Sequence, residues 1–223
     1  MQRFTKWHIW LGWLVGFPIL MWTVSGLVMV ARPIEEVRGT NLRTDLGPIP
    51  TETLALPRFD GPVQSVTLQN FSDGAGWLVV EEGGGRFRYD AQTGAFYNPV
   101  DEAQARSIAE ANYAGGAALE TMRYFPADSA PMDLRSGVHS WQAHFADGTN
   151  IYVLAQTGEV LAVRTRWWRI YDFFWGLHIM DLQTREDTHH PVLILFAALS
   201  MIGALLGCVL MFRRRKARPK AAQ

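Results

Sequence analysis

Histidines are the side chains of this 223-residue chain that could ligate a metal ion or a haem iron, and there are six of them. Imidazole is a common axial ligand of haem, and a site with two histidine ligands needs both imidazoles at one depth in the membrane. We treat His8, His178 and His190 as candidate haem ligands. His189 is a candidate metal ligand, with nearby acidic residues available to orient an imidazole.

The same histidines have simpler interpretations, which the sequence leaves open. His8 lies among tryptophans, and amphipathic side chains collect at membrane interfaces without binding a cofactor. The group from His178 to His190 also fits a pH-sensitive surface patch. It fits equally well a polar flank before Pro191, which suits the first turn of a helix.

Motifs typical of hydrolases and phosphate-binding enzymes are absent from the sequence. There is no Gly-x-x-x-x-Gly-Lys loop, no Gly-x-Ser-x-Gly elbow and no His-Glu-x-x-His helix. His139 and His144 lie on predicted strands at an odd separation, so they face opposite sides and we assign them no chemistry. The single cysteine, Cys208, lies in an apolar segment, which excludes a disulfide framework. We therefore assign no catalytic residue.

Two apolar segments near the ends of the chain must position these histidines. Residues 7–31 and 191–212 contain no charged residue, and about 20 helical residues cross the hydrocarbon core of a bilayer. They predict one transmembrane helix near each end. A cleaved signal peptide is the alternative for the first segment, but a signal peptide has only roughly 7 to 15 apolar residues.

The charged residues are distributed unevenly along the chain. The segments outside the two predicted helices carry eight basic residues and no acid. The insert between the helices carries 13 arginines and all 21 acids, so its formal charge is 13 − 21 = −8. Because basic flanks stay in the cytoplasm, both termini are predicted to be cytoplasmic and the insert periplasmic, at a bacterial inner membrane.

The insert has the pattern of an α+β domain. Residues 32–62 carry eight prolines or glycines and are predicted to be an extended linker. Period-two alternation predicts strands at 63–68, 76–81, 86–89, 119–125, 138–145, 150–154 and 159–164, and residues 101–113 have helical spacing. Asp147-Gly148 predicts a tight hairpin between two of these strands.

The tetrapeptide Ala-Gln-Thr-Gly occurs twice, at 91–94 and at 155–158, each time between predicted strands. Either the domain contains two copies of a similar α+β unit, or these are two ordinary hairpin turns. The sequence leaves both interpretations open.

Aromatic residues are concentrated in the segment that follows the domain. Residues 166–190 are predicted to form an interfacial helix and a connector at the outer leaflet, since amphipathic aromatic side chains favour that level. The predicted interface residues are Trp167, Trp168, Tyr171 and Trp175.

Each predicted transmembrane helix also contains a pair of glycines four residues apart. Gly12 and Gly16 lie on the first helix, and Gly203 and Gly207 lie on the second. Such motifs let helix backbones approach closely in lipid. Both lie at about the same depth, so they could join the two helices of one chain or join subunits.

Three motifs together resemble the PepSY-associated transmembrane (PepSY_TM) family. The first helix is similar to the family's opening His-x-x-x-Gly helix, which ends in a Ser/Thr-Gly pair, here Ser25-Gly26. Residues 89–94 and 151–160 resemble the PepSY strand-turn-strand signature. Residues 175–178, Trp-Gly-Leu-His, resemble the Leu-His that precedes the helix after the PepSY region. The resemblance covers most of the chain and suggests a short member with two helices.

The resemblance implies two different kinds of function. Larger relatives resemble inner-membrane ferric-siderophore reductases, which carry b-type haem between histidines on about four helices. This chain has two predicted helices, so a partner ligand for His8 would come from another subunit. PepSY domains elsewhere resemble inhibitory or chaperone-like modules of peptidases, or binding subunits without chemistry of their own.

We therefore expect a membrane α+β protein in which two transmembrane helices flank an extracytoplasmic PepSY-like domain of antiparallel sheets plus a helix. The expected segments are 1–31 (cytoplasmic N-terminus and first helix), 32–62 (linker), 63–165 (PepSY-like domain), 166–190 (interfacial helix and connector), 191–212 (second helix) and 213–223 (basic cytoplasmic tail).

We expect a membrane-anchored periplasmic binding or accessory protein. The sequence favours this function over that of an enzyme. The alternatives are a haem b electron-transfer protein related to ferric reductases and a peptidase regulator. Expected partners are the lipid bilayer, a second copy or another membrane protein at the glycine faces, and an unidentified periplasmic protein, with no nucleic acid.

Overall fold

The computed structural model describes residues 2–59 and 61–216 of the chain. The chain divides into two compact units, one formed by Met1–Arg32 with Ile170–Gln223 and the other by Pro33–Arg169. Most of the predicted basic tail, residues 217–223, lies outside the described residues.

The first unit contains the two long apolar helices, α1 (Gln2–Met29) and α5 (Pro191–Lys216). Between them in sequence, α4 (Arg166–His178) begins in the second unit and ends in the first. Only 17% of the most apolar stretch of α1 and 6% of that of α5 is buried. The core helix of a water-soluble protein would be mostly buried, so both helices have the exposure expected of membrane spans and confirm the two predicted helices.

Helices α1 and α5 pack against each other in antiparallel fashion. The buried or half-buried positions of α1 include a series at alternating intervals of three and four residues, namely His8, Leu11, Val15, Pro18, Trp22 and Ser25. This spacing gives one continuous stripe along a helix. The other sides of both helices expose large apolar side chains.

The second unit contains two antiparallel sheets. The first has the order β1 (Val63–Phe71), β2 (Gly74–Glu81) and β3 (Arg86–Asp90). The second has the order β4 (Leu119–Phe125), β5 (Ser140–Phe145), β6 (Asn150–Leu154) and β7 (Val160–Arg164). All seven predicted strands are present, and the predicted fold class is confirmed.

One helix, α3 (Glu102–Ala111), covers a face of the second sheet. Asp101 and Gln104 form a reciprocal capping box that starts the helix. The buried residues of α3 are Ala105, Ile108 and Ala109. They pack with sheet residues such as Phe145, Ile151 and Val163.

The segment predicted to be an extended linker belongs, from Pro33 onward, to the second unit. It contains α2 (Ile34–Val37) and a 3₁₀ turn (Thr40–Leu42), and Val37 is only 1% exposed. Gly39 has φ +67°, and a Cβ at that position would lie 2.8 Å from Val163 Cγ1. A side chain would therefore be excluded both by strain and by lack of space.

The two Ala-Gln-Thr-Gly turns have the same backbone hydrogen bonding. The amide of Gly94 donates to Asp90 O and that of Gly158 donates to Leu154 O, with φ near +70° at both glycines. A tryptophan indole supports each turn through a neighbouring carbonyl, Trp77 through Ala55 O at 2.8 Å and Trp141 through Val100 O at 3.1 Å. The hypothesis of two similar units gains this support and stays a prediction.

Candidate functional site

The end of α1 and the end of α4 meet at a hydrogen-bonded histidine. His178 Nδ1 lies 2.8 Å from the Ser25 hydroxyl, and Ser25 is only 1% exposed. The indole Nε1 of Trp22 donates to His178 O at 2.8 Å, so both the ring and the backbone of the histidine are held. Gly26 provides space beside the ring, since a Cβ there would meet His178 Cε1 only at 3.9 Å.

The hydrogen bonds of Ser25 restrict the tautomers that His178 can adopt. A hydroxyl has a single hydrogen, and Ser25 donates it to Trp22 O at 3.1 Å. The tautomer in which Nδ1 donates to the Ser25 oxygen and Nε2 keeps the lone pair is consistent with both contacts. An imidazole held in this way through Nδ1 is arranged to present Nε2 to a metal ion.

The loop after His178 is ordered by one carboxylate, that of Asp181. It accepts backbone hydrogen bonds from Gln183, Thr184, Glu186 and Asp187 at 3.0 to 3.2 Å, and one from the Thr184 hydroxyl. These bonds, that from the Thr184 hydroxyl foremost, hold the pKa of Asp181 well below its usual range, because they stabilise the ionised form.

A salt bridge attaches this loop to α4. Arg185 Nη1 lies 2.6 Å from Asp172 Oδ2, and the carboxylate side chain is 6% exposed. The indole of Trp175 donates to Arg185 O at 3.0 Å. A Cβ on Gly176 would lie 2.8 Å from Arg185 Cγ and 2.9 Å from Asp181 O, so the loop packs directly on the glycine. The sequence analysis missed Asp172 and Arg185, which lie 13 residues apart.

His189 and His190 follow this loop but are not held as His178 is. His189 is exposed, and His190 is half-buried, with no hydrogen-bond partner for its Nδ1 in the described part of the chain. Among residues 2–59 and 61–216, no three His, Cys, Asp or Glu side chains are grouped so that they could hold a metal ion. The assignments of His178 and His190 to haem and of His189 to a metal ion therefore stay predictions.

His8 lies at the opposite end of α1 and packs on the backbone of α5. A Cβ on Gly207 would lie 3.0 Å from His8 Cε1, so the missing side chain makes room for the imidazole. His8 Nδ1 is buried and lacks a hydrogen-bond partner among the described residues. The 17 residues from His8 to Ser25 correspond to about 26 Å along the helix, so His8 and His178 belong to separate levels.

The glycine pairs have different surroundings. Gly203 and Gly207 face α1, with Leu11 Cδ2 at 3.3 Å from a Cβ placed on Gly203. Around a Cβ placed on Gly12 or Gly16, no described heavy atom lies within 4 Å. Within one chain, the close approach therefore uses the glycines of α5 and not those of α1.

The four aromatic residues predicted for the membrane interface divide between the interior and partly covered positions. Trp168 is 8% exposed, and the guanidinium of Arg164 lies 4.2 Å from the centre of its ring. Its indole is thus a core group. The other three residues are half-buried, namely Trp167, Tyr171 and Trp175. The exposed apolar side chains of α4 are Ile170 and Phe173.

The second unit has an open apolar groove of about 410 Å³ between its two sheets. Tyr124 and His139 stack at one side, and the tyrosine hydroxyl lies 2.8 Å from His139 Nδ1. Other groove residues come from both parts of the domain, among them Arg86, Pro99, Val138 and Leu154. The sequence assigned His139 no chemistry, and nothing in its strand pattern indicated a groove.

Comparison with known proteins identifies one family. The PepSY-associated TM region matches residues 5–223 of this chain. No curated protein and no solved structure matches the chain. The match includes both apolar helices and the whole domain between them, as the resemblance of the motifs predicted. With nearly its entire length matched, this chain belongs to the PepSY-associated transmembrane family.

Proposed function

We propose that this membrane protein is a binding or accessory subunit whose PepSY-like domain binds an external protein partner. The observation that carries the proposal is the groove beside Tyr124 and His139. Small-molecule and side-chain binding sites are usually clefts of roughly 300 to 1,000 Å³ with apolar walls and a few polar groups. The groove has that size, with aromatic and aliphatic walls and a small number of polar groups at its edge.

The polar groups at the groove edge favour an apolar side chain accompanied by a polar backbone. Arg86 is engaged by Glu159 at 3.2 Å, so its charge is balanced within the domain. Tyr124 is 44% exposed and presents both a ring face and a hydroxyl. An exposed segment of a partner protein, with an apolar residue between peptide groups, matches this chemistry.

The same proposal places the domain in the periplasm of a bacterial inner membrane, with both termini in the cytoplasm. Its support is the charge distribution: eight basic residues flank the helices, whereas the insert has a formal charge of −8. Positive flanks remain on the cytoplasmic side.

Site-specific photocrosslinking in living cells tests the groove. We expect a photoreactive amino acid at Tyr124 to crosslink to a discrete partner, and Val138→Trp to remove the crosslink by filling the groove. The control is the same photoreactive residue at Met132, which is 52% exposed and does not line the groove. Equal crosslinking from both positions, or a crosslink that survives Val138→Trp, would contradict the proposal.

A second candidate function is electron transfer through b-type haem, and the orientation of the His178 ring by Ser25 favours it. Haem would supply one-electron transfer when bound. The residues fit in part: His178 is oriented by Ser25 at 2.8 Å, whereas no second histidine faces it within the described contacts of the chain. A site with two histidine ligands would therefore need a second copy or a different membrane protein.

A pyridine haemochrome assay on protein expressed with ample haem tests this candidate. Electron transfer predicts a stoichiometric haem content that falls in His178→Ala. A His139→Ala variant is the matched control, since that histidine belongs to the second unit and is exposed. A colourless, folded wild-type protein would eliminate the haem function and leave the binding function standing.

A further inference from the structure

An apolar groove of about 750 Å³ runs along the outside of the α1–α5 pair. On α1 it is lined by Trp7, Trp10 and Leu14, which are 72%, 78% and 55% exposed. On α5 it is lined by Ile202 and Leu206. None of the histidines discussed above lines it, so it is separate from both candidate functions.

The groove has the length of one bilayer leaflet. From Lys6 to Leu14 the helical rise gives about 12 Å, and one leaflet contributes about half of the roughly 30 Å hydrocarbon core. The lining is apolar along this length except at Lys6, at the end where α1 begins. The groove is thus apolar along its length and has one cationic side chain, that of Lys6, at one end.

Further basic residues belong to the same end of the helix pair. Because α1 and α5 are antiparallel, the last turn of α5 lies at the level where α1 begins. That turn contains Arg213, Arg214, Arg215 and Lys216 in sequence, and the first turns of α1 contain Arg3 and no acid. A ligand with an acyl chain and a negative head would therefore find complementary charge here.

We propose that this groove binds one anionic phospholipid, with an acyl chain against Trp7, Trp10 and Ile202 and the phosphate at Lys6. The tryptophans suit this position, because indoles favour the level of the headgroups and offer a flat apolar surface below it. The site is specific for the sign of the headgroup, since the cationic end attracts anionic lipids more than zwitterionic ones.

A second copy of the chain is the competing occupant, and the charges oppose it. Two copies in the same membrane orientation, joined along this groove, would bring both Lys6 side chains and both basic α5 ends to one level. Like charges brought together are unfavourable, particularly near a low-dielectric medium. An anionic lipid at the same position neutralises that charge instead of doubling it.

Native mass spectrometry of the full chain, purified in non-ionic detergent and delipidated, tests the proposal. We expect one retained phosphatidylglycerol per chain when it is added, in preference to phosphatidylcholine with the same acyl chains. Lys6→Gln should reduce that preference by about fivefold, the effect of one cation near the headgroups.

A pair of matched variants tests the groove itself. Ile202→Trp fills the groove and should abolish retention, whereas Ile194→Trp, on the same helix at 57% exposure and outside the groove, should not. Equal retention of the two lipids by the wild-type chain would overturn the proposal. So would retention unaffected by both Ile202→Trp and Lys6→Gln, or a lipid-free dimer that Ile202→Trp dissociates.

Discussion

The hydroxyl of Ser25 holds an imidazole from the distant end of α4. It is buried, lies 3.1 Å from the backbone oxygen of Trp22 and is hydrogen-bonded to Nδ1 of His178 at 2.8 Å. The tautomer of a histidine is set by the hydrogen bond that its other nitrogen makes. The side chain of Ser25 thus controls the chemistry available at Nε2 without contacting a ligand itself.

Ser25→Ala tests this control. Loss of the hydroxyl should shift the proton of His178 partly from Nδ1 to Nε2 and destabilise the junction by about 1 kcal/mol, the net value of a typical hydrogen bond. Nitrogen-15 NMR of histidine-labelled protein in micelles reports the tautomer. Thr23→Ala, which removes an exposed hydroxyl bonded to Ile19 O on the same helix, should leave the tautomer unchanged. An unchanged tautomer in Ser25→Ala would refute the assignment.

Protonation of Asp181 should release the loop after His178. The pKa of this carboxyl is depressed in the folded chain below its ordinary value of about 3.9. A depressed carboxyl pKa contributes stability that is complete above the unfolded pKa and is lost as the pH falls through the folded pKa. Hydrogen exchange of the amides of residues 183–187 should therefore show protection at pH 5 to 7 that decreases below about pH 4.

The matched variants for this loop are Asp181→Asn and Asp187→Asn. The first removes the charge that orders four backbone amides, and we expect weak protection at every pH. The second changes an exposed carboxylate that accepts only from the amide of His189 among the described contacts, at 2.9 Å. If both variants exchange alike, the network around Asp181 does not order the loop.

Individual site residues were more predictable from the sequence than their contacts. The motifs containing Ser25 and His178 were both visible, but the two residues are 153 positions apart and no periodicity connects them. The role of Asp181 was also invisible, since a carboxylate before polar residues is common in loops. Contacts between distant segments depend on three-dimensional packing, which local patterns do not encode.

At the scale of elements, the glycines of α5 set how closely the two helices approach. Gly207→Ile should push against His8 and Gly203→Ile against Leu11, each destabilising the helix pair by about 1 to 3 kcal/mol through overpacking. Gly16→Ile should have no such effect, because its surroundings are open within 4 Å. Thermal unfolding in detergent measures the difference.

Size-exclusion chromatography of the same variants separates packing within a chain from packing between subunits. A change of size in Gly16→Ile without a change in thermal stability would assign that glycine to a subunit interface. Equal thermal destabilisation by Gly16→Ile and Gly207→Ile would contradict the packing seen in the structure.

Periodicity predicted regular elements well and irregular ones badly. All seven strands and α3 appear close to the predicted positions, since alternation and helical spacing reflect which side faces the core. The sequence did not indicate α2 within residues 32–62, because this helix has only four residues and is too short to show a period, although its last residue, Val37, is buried. The groove beside Tyr124 was equally unpredictable, since it forms between segments that contribute only a few residues each.

At the scale of the whole molecule, the two helices and the charge distribution predict one membrane topology. Reporter fusions after residue 223 should be active only in the cytoplasm, and fusions within the insert only in the periplasm. The flanking charges can be reversed by changing Arg3, Lys6 and the four basic residues at 213–216 to glutamate. This reversal should lower the fraction of chains that have both termini in the cytoplasm. A periplasmic C-terminus in the wild-type chain would contradict the topology.

The packing of Gly176 against Arg185 and Asp181 has a consequence for natural sequence variation. The loop amides that bind Asp181 belong to the backbone, so we expect the side chains at Gln183 and Glu186 to vary between homologues. Selection should act jointly on three residues of this loop packing, Gly176, Asp181 and Thr184. Each of them is needed for the packing of the loop only while the other two are present. Homologues should therefore keep or lose these three residues together, and a lineage that shortens the loop should accept a larger residue at the position of the glycine.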